Sequence, residues 1–263
     1  MSSFKQMERT RLTFLGTGTS QGIPMIGCGC AVCTSNDVRD KRLRASVLVE
    51  HQGLRILVDA GPDFRQQMLR SGISDLDAIL LTHNHKDHTG GLDDIRAFNY
   101  HQKKAAEIYC EKYVEDSLRM EYSYAFEENK YPGAPDWNVH IIDERPFLIN
   151  GVEIIPVRGR HFRLPVLGFR FGKIAYCTDM NHIPEEEFSK LEGLEHFIIN
   201  CVRRGRHISH FSLEGALAVS ERVGARHTWL THLSHQLPCY EELTAELPEN
   251  ILPAYDGLCI ESL

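Results

Sequence analysis

Three histidines and an aspartate stand within the stretch Leu80-Leu81-Thr82-His83-Asn84-His85-Lys86-Asp87-His88-Thr89-Gly90-Gly91. Imidazole nitrogen and carboxylate oxygen are the donors that Zn²⁺, Mn²⁺ and Fe²⁺ accept. An apolar run, Ala78-Ile79-Leu80-Leu81, leads in and reads as a buried strand. The Gly90-Gly91 pair turns the chain sharply after it. In an extended segment His83 and His85 project to the same side, because side chains alternate with a period of two. If the chain then curls into a helix, Asp87 and His88 project from its first turn towards the same space. The chemistry this spacing predicts is two pairs of donors for two neighbouring metals.

The elements around that stretch repeat one theme. Ala45 to Glu50 and Leu54 to Asp59 read as two strands joined by a turn at Gln52-Gly53. Asp59 ends the second strand, where its carboxylate could accept a hydrogen bond from a metal-bound histidine. Residues 63–71 read as a helix closed by Gly72. Residues 92–138 look least regular, with a strand at Ile108 to Cys110 and a helix from Val114 to Tyr124. The nine aromatic residues there, Tyr100, Tyr131 and Trp137 among them, suggest a lid or substrate wall beside the site. Phe147 to Val157 reads as a hairpin around Asn150-Gly151, delivering His161 in a loop. Strands are predicted at Leu167 to Phe171, Lys173 to Cys177 and His196 to Cys201, with Asp179 just past the second. A helix runs from Pro184 to Leu191, and an amphipathic one from Ser212 to Val223. Thr228 to Thr231 then leads into His232 as another strand followed by histidine. Asp59, His83 to His88, Asp179, Cys201 and His232 all stand at strand ends, where layered α/β proteins build their sites.

Cys28-Gly29-Cys30-Ala31-Val32-Cys33 places three thiolates close enough for three corners of a tetrahedral zinc site, which needs a fourth ligand from elsewhere. Cys110, Cys177, Cys201, Cys239 and Cys259 are isolated and read as buried thiols. Eight cysteines used this way suit a reducing compartment. Gly16 to Gly22 lacks the third glycine of a dinucleotide fingerprint and reads as a close backbone approach to a neighbouring site. With 263 residues the chain can form one large domain, and no linker or low-complexity stretch divides residues 1–263. A net charge of −7 gives no general pull towards nucleic acid or anionic lipid. Met1 to Thr10 carries no apolar core of signal-peptide length, and no stretch approaches the roughly 18 apolar residues that cross a bilayer. A cytoplasmic protein without a membrane partner is expected.

The pattern His-x-His-x-Asp-His, with the later strand-end residues, resembles the metallo-β-lactamase-fold hydrolases over essentially the whole chain. The resemblance implies an α/β fold, a four-layer αββα sandwich of two mixed sheets, with a dinuclear metal site along one edge. It implies that His83, His85, His161 and Asp179 hold one divalent metal, zinc or manganese. Asp87, His88, Asp179 and His232 hold the other, with Asp179 shared. A narrower resemblance rests on Gly16 to Gly22, the three cysteines, and Thr231-His232-Leu233-Ser234-His235-Gln236. These segments look like the cyclic phosphoribosyl phosphodiesterases of phosphonate degradation. That likeness implies a structural zinc on Cys28, Cys30, Cys33 and His235, fastening the His232 loop to the amino-terminal segment. His207 and His51 are the rivals for the fourth corner.

Ser209-His210-Phe211-Ser212-Leu213-Glu214-Gly215-Ala216 resembles a stretch shared with the tRNA 3′-processing endonucleases. The match implies that His210 protonates the leaving group. Asp87 joins it in the catalytic set. The expected activity is hydrolysis of a small phosphodiester, cyclic or open, by water activated between two metals. His210 would be protonated near neutral pH, and Arg203, Arg204, Arg206 and Arg163 are available for the phosphate. Relatives imply a homodimer. A tRNA-processing enzyme, an ester or thioester hydrolase and a metal-binding scaffold are the alternatives. No tRNA-gripping insert is present, so nucleic acid is the lesser expectation as partner.

Overall fold

The computed structural model describes residues 9–263; of Met1 to Thr10, expected to carry no targeting signal, Met1 to Glu8 lie outside them. Two seven-stranded sheets carry the fold. The first contains β1 (Thr10–Gly16), β2 (Ser46–His51), β3 (Leu54–Val58), β4 (Ala78–Leu80), β5 (Ala106–Cys110) and β6 (Trp137–Ile141) in chain order, with β14 (Cys259–Ser262) beside β1. The second contains β7 (Phe147–Ile149), β8 (Val152–His161), β9 (Leu164–Phe171), β10 (Ile174–Cys177), β11 (His196–Asn200), β12 (His227–Thr231) and β13 (Ile251–Pro253), also in chain order. Each sheet is antiparallel in one half and parallel in the other. In the first, the pairs from β3 to β6 are parallel; in the second, those from β10 to β13.

Alternation along the strands explains the layering. On β2, β3 and β4, Val47, Val49, Ile56, Val58, Ala78 and Leu80 face the second sheet. Their neighbours Leu48, Leu57 and Ile79 pack outward under α2 (Phe64–Ser71) and α5 (Lys112–Glu121). On β10 and β11, Ile174, Tyr176 and Ile198 point between the sheets, while Ala175, Cys177, Phe197 and Ile199 pack against α6 (Leu213–Val223). Strands covered on both faces must be apolar throughout, which is why these runs lack polar alternation. Burial of each large side chain is worth about 1.5–3 kcal/mol. The helices end where local chemistry stops them. Gly72 and Gly224 take the left-handed conformation at the ends of α2 and α6, and the Ser212 hydroxyl accepts the Gly215 N–H at the start of α6.

Several elements differ from the sequence reading. His161 is the last residue of β8 rather than a loop residue, because Phe162 and Arg163 alone make the turn and His161 pairs with Leu164 of β9. Residues 92–138 are more regular than expected. They supply β5 and β6, α4 (Arg96–Gln102) and α5, and Phe98, Tyr122 and Trp137 are buried in the core outside the first sheet. Residues 185–191 form a 3₁₀ segment instead of an α-helix. Short β13 and β14, and α7 (Tyr240–Glu246), carry too few apolar residues to announce themselves. No helix among the described residues is long and apolar enough to cross a membrane.

Candidate metal centre

Parallel strands ending in register bring distant residues to one edge. Asp59 follows β3, His83 follows β4, Asp179 follows β10 and His232 follows β12. Asp59, Asp179 and His232 all have positive φ, at 64°, 59° and 54°. Side chains rarely adopt this conformation, and it costs of order 1–3 kcal/mol at each position. Hydrogen bonds hold the backbone there. The Asp59 N–H donates to the Leu80 carbonyl at 2.9 Å, and Ser46 Oγ donates to the Asp59 carbonyl at 2.8 Å. After Asp179, the Met180 N–H donates to Asn200 Oδ1 at 2.7 Å and the Asn200 amide donates back at 3.0 Å.

The metal-loop residues leave β4 and enter α3 (Lys86–Thr89), with His85 just before its first residue. Two close backbone approaches lock this turn. A Cβ on Gly61 would lie 2.0 Å from the Asp87 carbonyl oxygen, and one on Gly91 2.1 Å from the Gly61 carbonyl oxygen. Glycine is the one residue that fits at either point.

The donors fall into groups whose ligand atoms lie within 4.8 Å of one another: His83, His85 and His161, then Asp87, His88, Asp179 and His232. Asp179 also groups with His161 and His210, so its carboxylate stands between the two sets. His88 Nε2 is 3.3 Å from Asp87 and 3.2 Å from Asp179. His232 Nε2 is 3.1 Å from Asp179 and 3.6 Å from Asp87. The far nitrogens are anchored from behind. His88 Nδ1 meets Asp59 Oδ2 at 2.6 Å, His161 Nδ1 meets the Ser209 carbonyl at 2.9 Å, and His83 Nδ1 meets Thr82 Oγ1 at 2.9 Å. Thr82 in turn donates both its N–H and its hydroxyl to Asp59.

This arrangement fits metal ions. The Nε2 atoms of His83, His88 and His232 are buried and have no hydrogen-bond partner. Leaving buried polar atoms unpaired is expensive unless something else satisfies them. Burial opposes charge throughout. It lowers His83 well below the ordinary imidazole value. In His88 burial is outweighed by Asp179, Asp87 and Asp59, which raise it. Burial alone would raise Asp179 and Asp87, yet the facing imidazoles hold both below the carboxylate range. A compact set of carboxylates against imidazoles is the donor chemistry of zinc and manganese.

His210 sits on the rim, its ring centroid 4.5 Å from that of His161 and 4.7 Å from that of His232, with Nδ1 3.7 Å from Asp179. Burial, aided by His232, lowers it to about 3. Burial thus works against the protonated form expected from the sequence, which the charge of a bound anion would favour. Beside it opens a cavity of about 840 Å³ lined by Arg203, Arg206, His207, Ile208 and Phe162. Arg204 points elsewhere and pairs with Glu246. Arg163 lies over the Phe162 ring. None of the aromatic residues of 92–138 lines this cavity among the described residues.

The cysteines gather at the first helix, α1 (Ala31–Thr34), which contains Cys33 and starts just after Cys30. Cys28, Cys30, Cys33 and His235 bring their ligand atoms within 4.8 Å, with His235 Nδ1 3.3 Å from Cys28 Sγ and 3.5 Å from Cys30 Sγ. The Cys33 N–H and His235 lower Cys30 to about 6, and the Met25 N–H donates to Cys33 Sγ. His207 lies beside His210 instead, and His51 pairs with Thr10 on β1. Next to this knot, Thr19 N–H donates to the Leu233 carbonyl and Leu233 N–H to the Thr17 carbonyl, tying the segment after β1 to the residue after His232. Sequence reasoning missed Thr82, Asn200 and the Ser209 carbonyl. Thr82 adjoins His83 in sequence, but nothing local marks the other two.

A sheet-edge cluster of this composition on an αββα fold defines a metal-dependent hydrolase. Residues 54–233 match the family described as Beta-lactamase superfamily domain, and the chain belongs to that superfamily. The chain is similar to a crystal structure described as a new diphosphatase from the PhnP family, at 38% identity over 97% of each chain with a TM-score of 0.90. It is 43% identical over 251 residues to the octanoyltransferase of Porphyromonas gingivalis, covering 94% of this chain but 51% of that protein. The chain thus spans about half the length of that relative. The short form of human tRNase Z shares the fold, at 19% identity over 95% of this chain and 98% of the other, with a TM-score of 0.69.

Proposed function

We propose that this chain is a dinuclear metal-dependent phosphodiesterase acting on a small phosphodiester. The observation that carries the reading is the convergence of seven donors in two groups around Asp179, with His210 packed against that cluster on one side and lining a cavity with Arg203 and Arg206 on the other. His83, His85, His161 and Asp179 would hold one metal, zinc or manganese; Asp87, His88, Asp179 and His232 would hold the other. Bound there, two divalent cations supply a nucleophile at neutral pH and neutralise charge on phosphoryl oxygens. Asp59 and Thr82 orient His88 and His83 from behind. Arg203 and Arg206 bind the phosphate through charge-assisted hydrogen bonds. His210 takes up a proton when an anionic substrate enters and delivers it to the departing oxygen. A zinc on Cys28, Cys30, Cys33 and His235 would keep the His232 segment in place.

Hydrolysis of a diphosphate link is the second reading, favoured by the 38% identity to a diphosphatase. The same residues serve both, since each reaction replaces an oxygen on phosphorus. Octanoyl transfer is the activity named for a relative about twice as long, of which this chain covers 51%. The test is a hydrolysis panel on metal-loaded protein, covering bis-aryl phosphate, cyclic ribose phosphate, a dinucleoside diphosphate, tRNA precursor, β-lactam and thioester. Turnover of the phosphorus esters alone is expected. Preferential cleavage of thioester or β-lactam would overturn the reading.

A further inference from the structure

The turn that carries His161 breaks the local rule for its type. Phe162 and Arg163 are its two central residues, and Phe162 has a φ of 59°. A two-residue hairpin turn with positive φ at its first central position prefers glycine there. A bulky side chain in this conformation is an outlier. Phe162 is nevertheless 49% exposed, so core packing does not account for it. Its backbone N–H donates to Asn181 Oδ1 at 3.1 Å, and the Asn181 amide donates to the Ile208 carbonyl at 2.8 Å. The Arg163 guanidinium lies 5.2 Å from the ring centroid, a cation–π contact that fixes the ring from one side. The ring also lines the cavity that holds His210, Arg203 and Arg206, and Ile208 beside it is 65% exposed.

We infer that Phe162 is a specificity-determining residue: its pre-set ring stacks on a planar aromatic group of the substrate while Arg203 and Arg206 take the phosphate. The substrate class is therefore a phosphate ester or diphosphate bearing a nucleobase, rather than a bare sugar phosphate. The inference rests on the phosphohydrolase reading for the phosphate end of the cavity. The aromatic end stands on the Phe162 geometry alone. An exposed phenylalanine by itself would carry nothing, since lone apolar residues on surfaces are common. Here an unfavourable backbone, a hydrogen-bonded support and a cation-held ring converge on one wall of the cavity.

Binding separates the two layers. Metal-loaded protein is titrated calorimetrically with adenosine monophosphate and with ribose 5-phosphate, which differ by the base. Stacking of a base on an aromatic side chain predicts tighter binding of the nucleotide by about tenfold or more. Phe162→Asn removes the ring with a residue that tolerates positive φ, so the hairpin holding His161 is kept. It is expected to bring the ratio close to one, and Phe162→Trp to restore it. The same ratio in wild type and Phe162→Asn, or equal binding of both ligands to wild type, overturns the inference. Failure to hydrolyse any phosphorus ester would instead strike the phosphohydrolase reading and leave the binding ratio to judge Phe162.

Discussion

Replacing Asp59 with asparagine tests how the sheet edge orients a metal ligand. Asp59 is fully buried and accepts three hydrogen bonds: from Thr82 N–H at 2.9 Å, from the Thr82 hydroxyl, and from His88 Nδ1 at 2.6 Å. Asparagine has nearly the same shape and tolerates the φ of 64° that position 59 requires. Chemistry is therefore the main variable. If the asparagine oxygen accepts from Thr82, its NH₂ meets the Nδ1–H of His88, donor against donor. His88 relieves this by moving its proton to Nε2, the atom that faces Asp87 and Asp179. A protonated Nε2 cannot bind a cation. Loss of such a supporting hydrogen bond lowers metal affinity about 10- to 100-fold, equivalent to about 1.4–2.8 kcal/mol. Competition with a chromophoric chelator should show the step belonging to Asp87, His88, Asp179 and His232 weakened by that factor. The His83, His85 and His161 step should be less affected, and near-ultraviolet circular dichroism should be unchanged. Wild-type affinity in both steps would refute the argument that Asp59 sets the His88 tautomer.

Gly61→Ala should be destabilising by about 1–3 kcal/mol in denaturant unfolding, since its Cβ would meet the Asp87 carbonyl at 2.0 Å; wild-type stability with full metal content would contradict the close approach. Cys33→Ser should remove one metal equivalent and lower the melting temperature while the sheet-edge donors keep theirs, as read by elemental analysis of the purified variant. Unchanged metal content would show that the cysteine cluster does not hold an ion. His51 is held below the ordinary imidazole value by burial, so the unfolded chain binds a proton that the native chain resists. Its share of stability is present above about pH 6.5 and shrinks as pH falls below it. Urea unfolding at about pH 5.5 and 7.5 should show a smaller pH-dependent loss in His51→Gln than in wild type; equal losses would exclude His51 as a contributor.

The centre was legible where its parts are local. His83, His85, Asp87 and His88 are readable because a short strand, a turn and one helical turn place them with no help from the rest of the chain. Asp179 and His232 are readable as strand-end residues, but their left-handed backbone is not, since it depends on Asn200 and on the segment after β1. His161 reads as a loop residue because Phe-Arg is a poor turn signal, and pairing in the sheet overrides it. Residues 92–138 looked irregular because β5 and β6 are short and their aromatics serve the core as well as the surface. Sequence offers no means of telling inward Arg203 from outward Arg204, because that depends on where Glu246 of α7 lies.

The central claim is that seven side chains from position 83 to position 232 grip a pair of cations. Anomalous diffraction from crystals grown with zinc or manganese tests it most directly. Two peaks are expected about 3.5–4 Å apart, one against His83, His85 and His161, the other against Asp87, His88 and His232, with Asp179 reaching both. Density for a single ion, or none, among these residues at saturating metal would contradict the account.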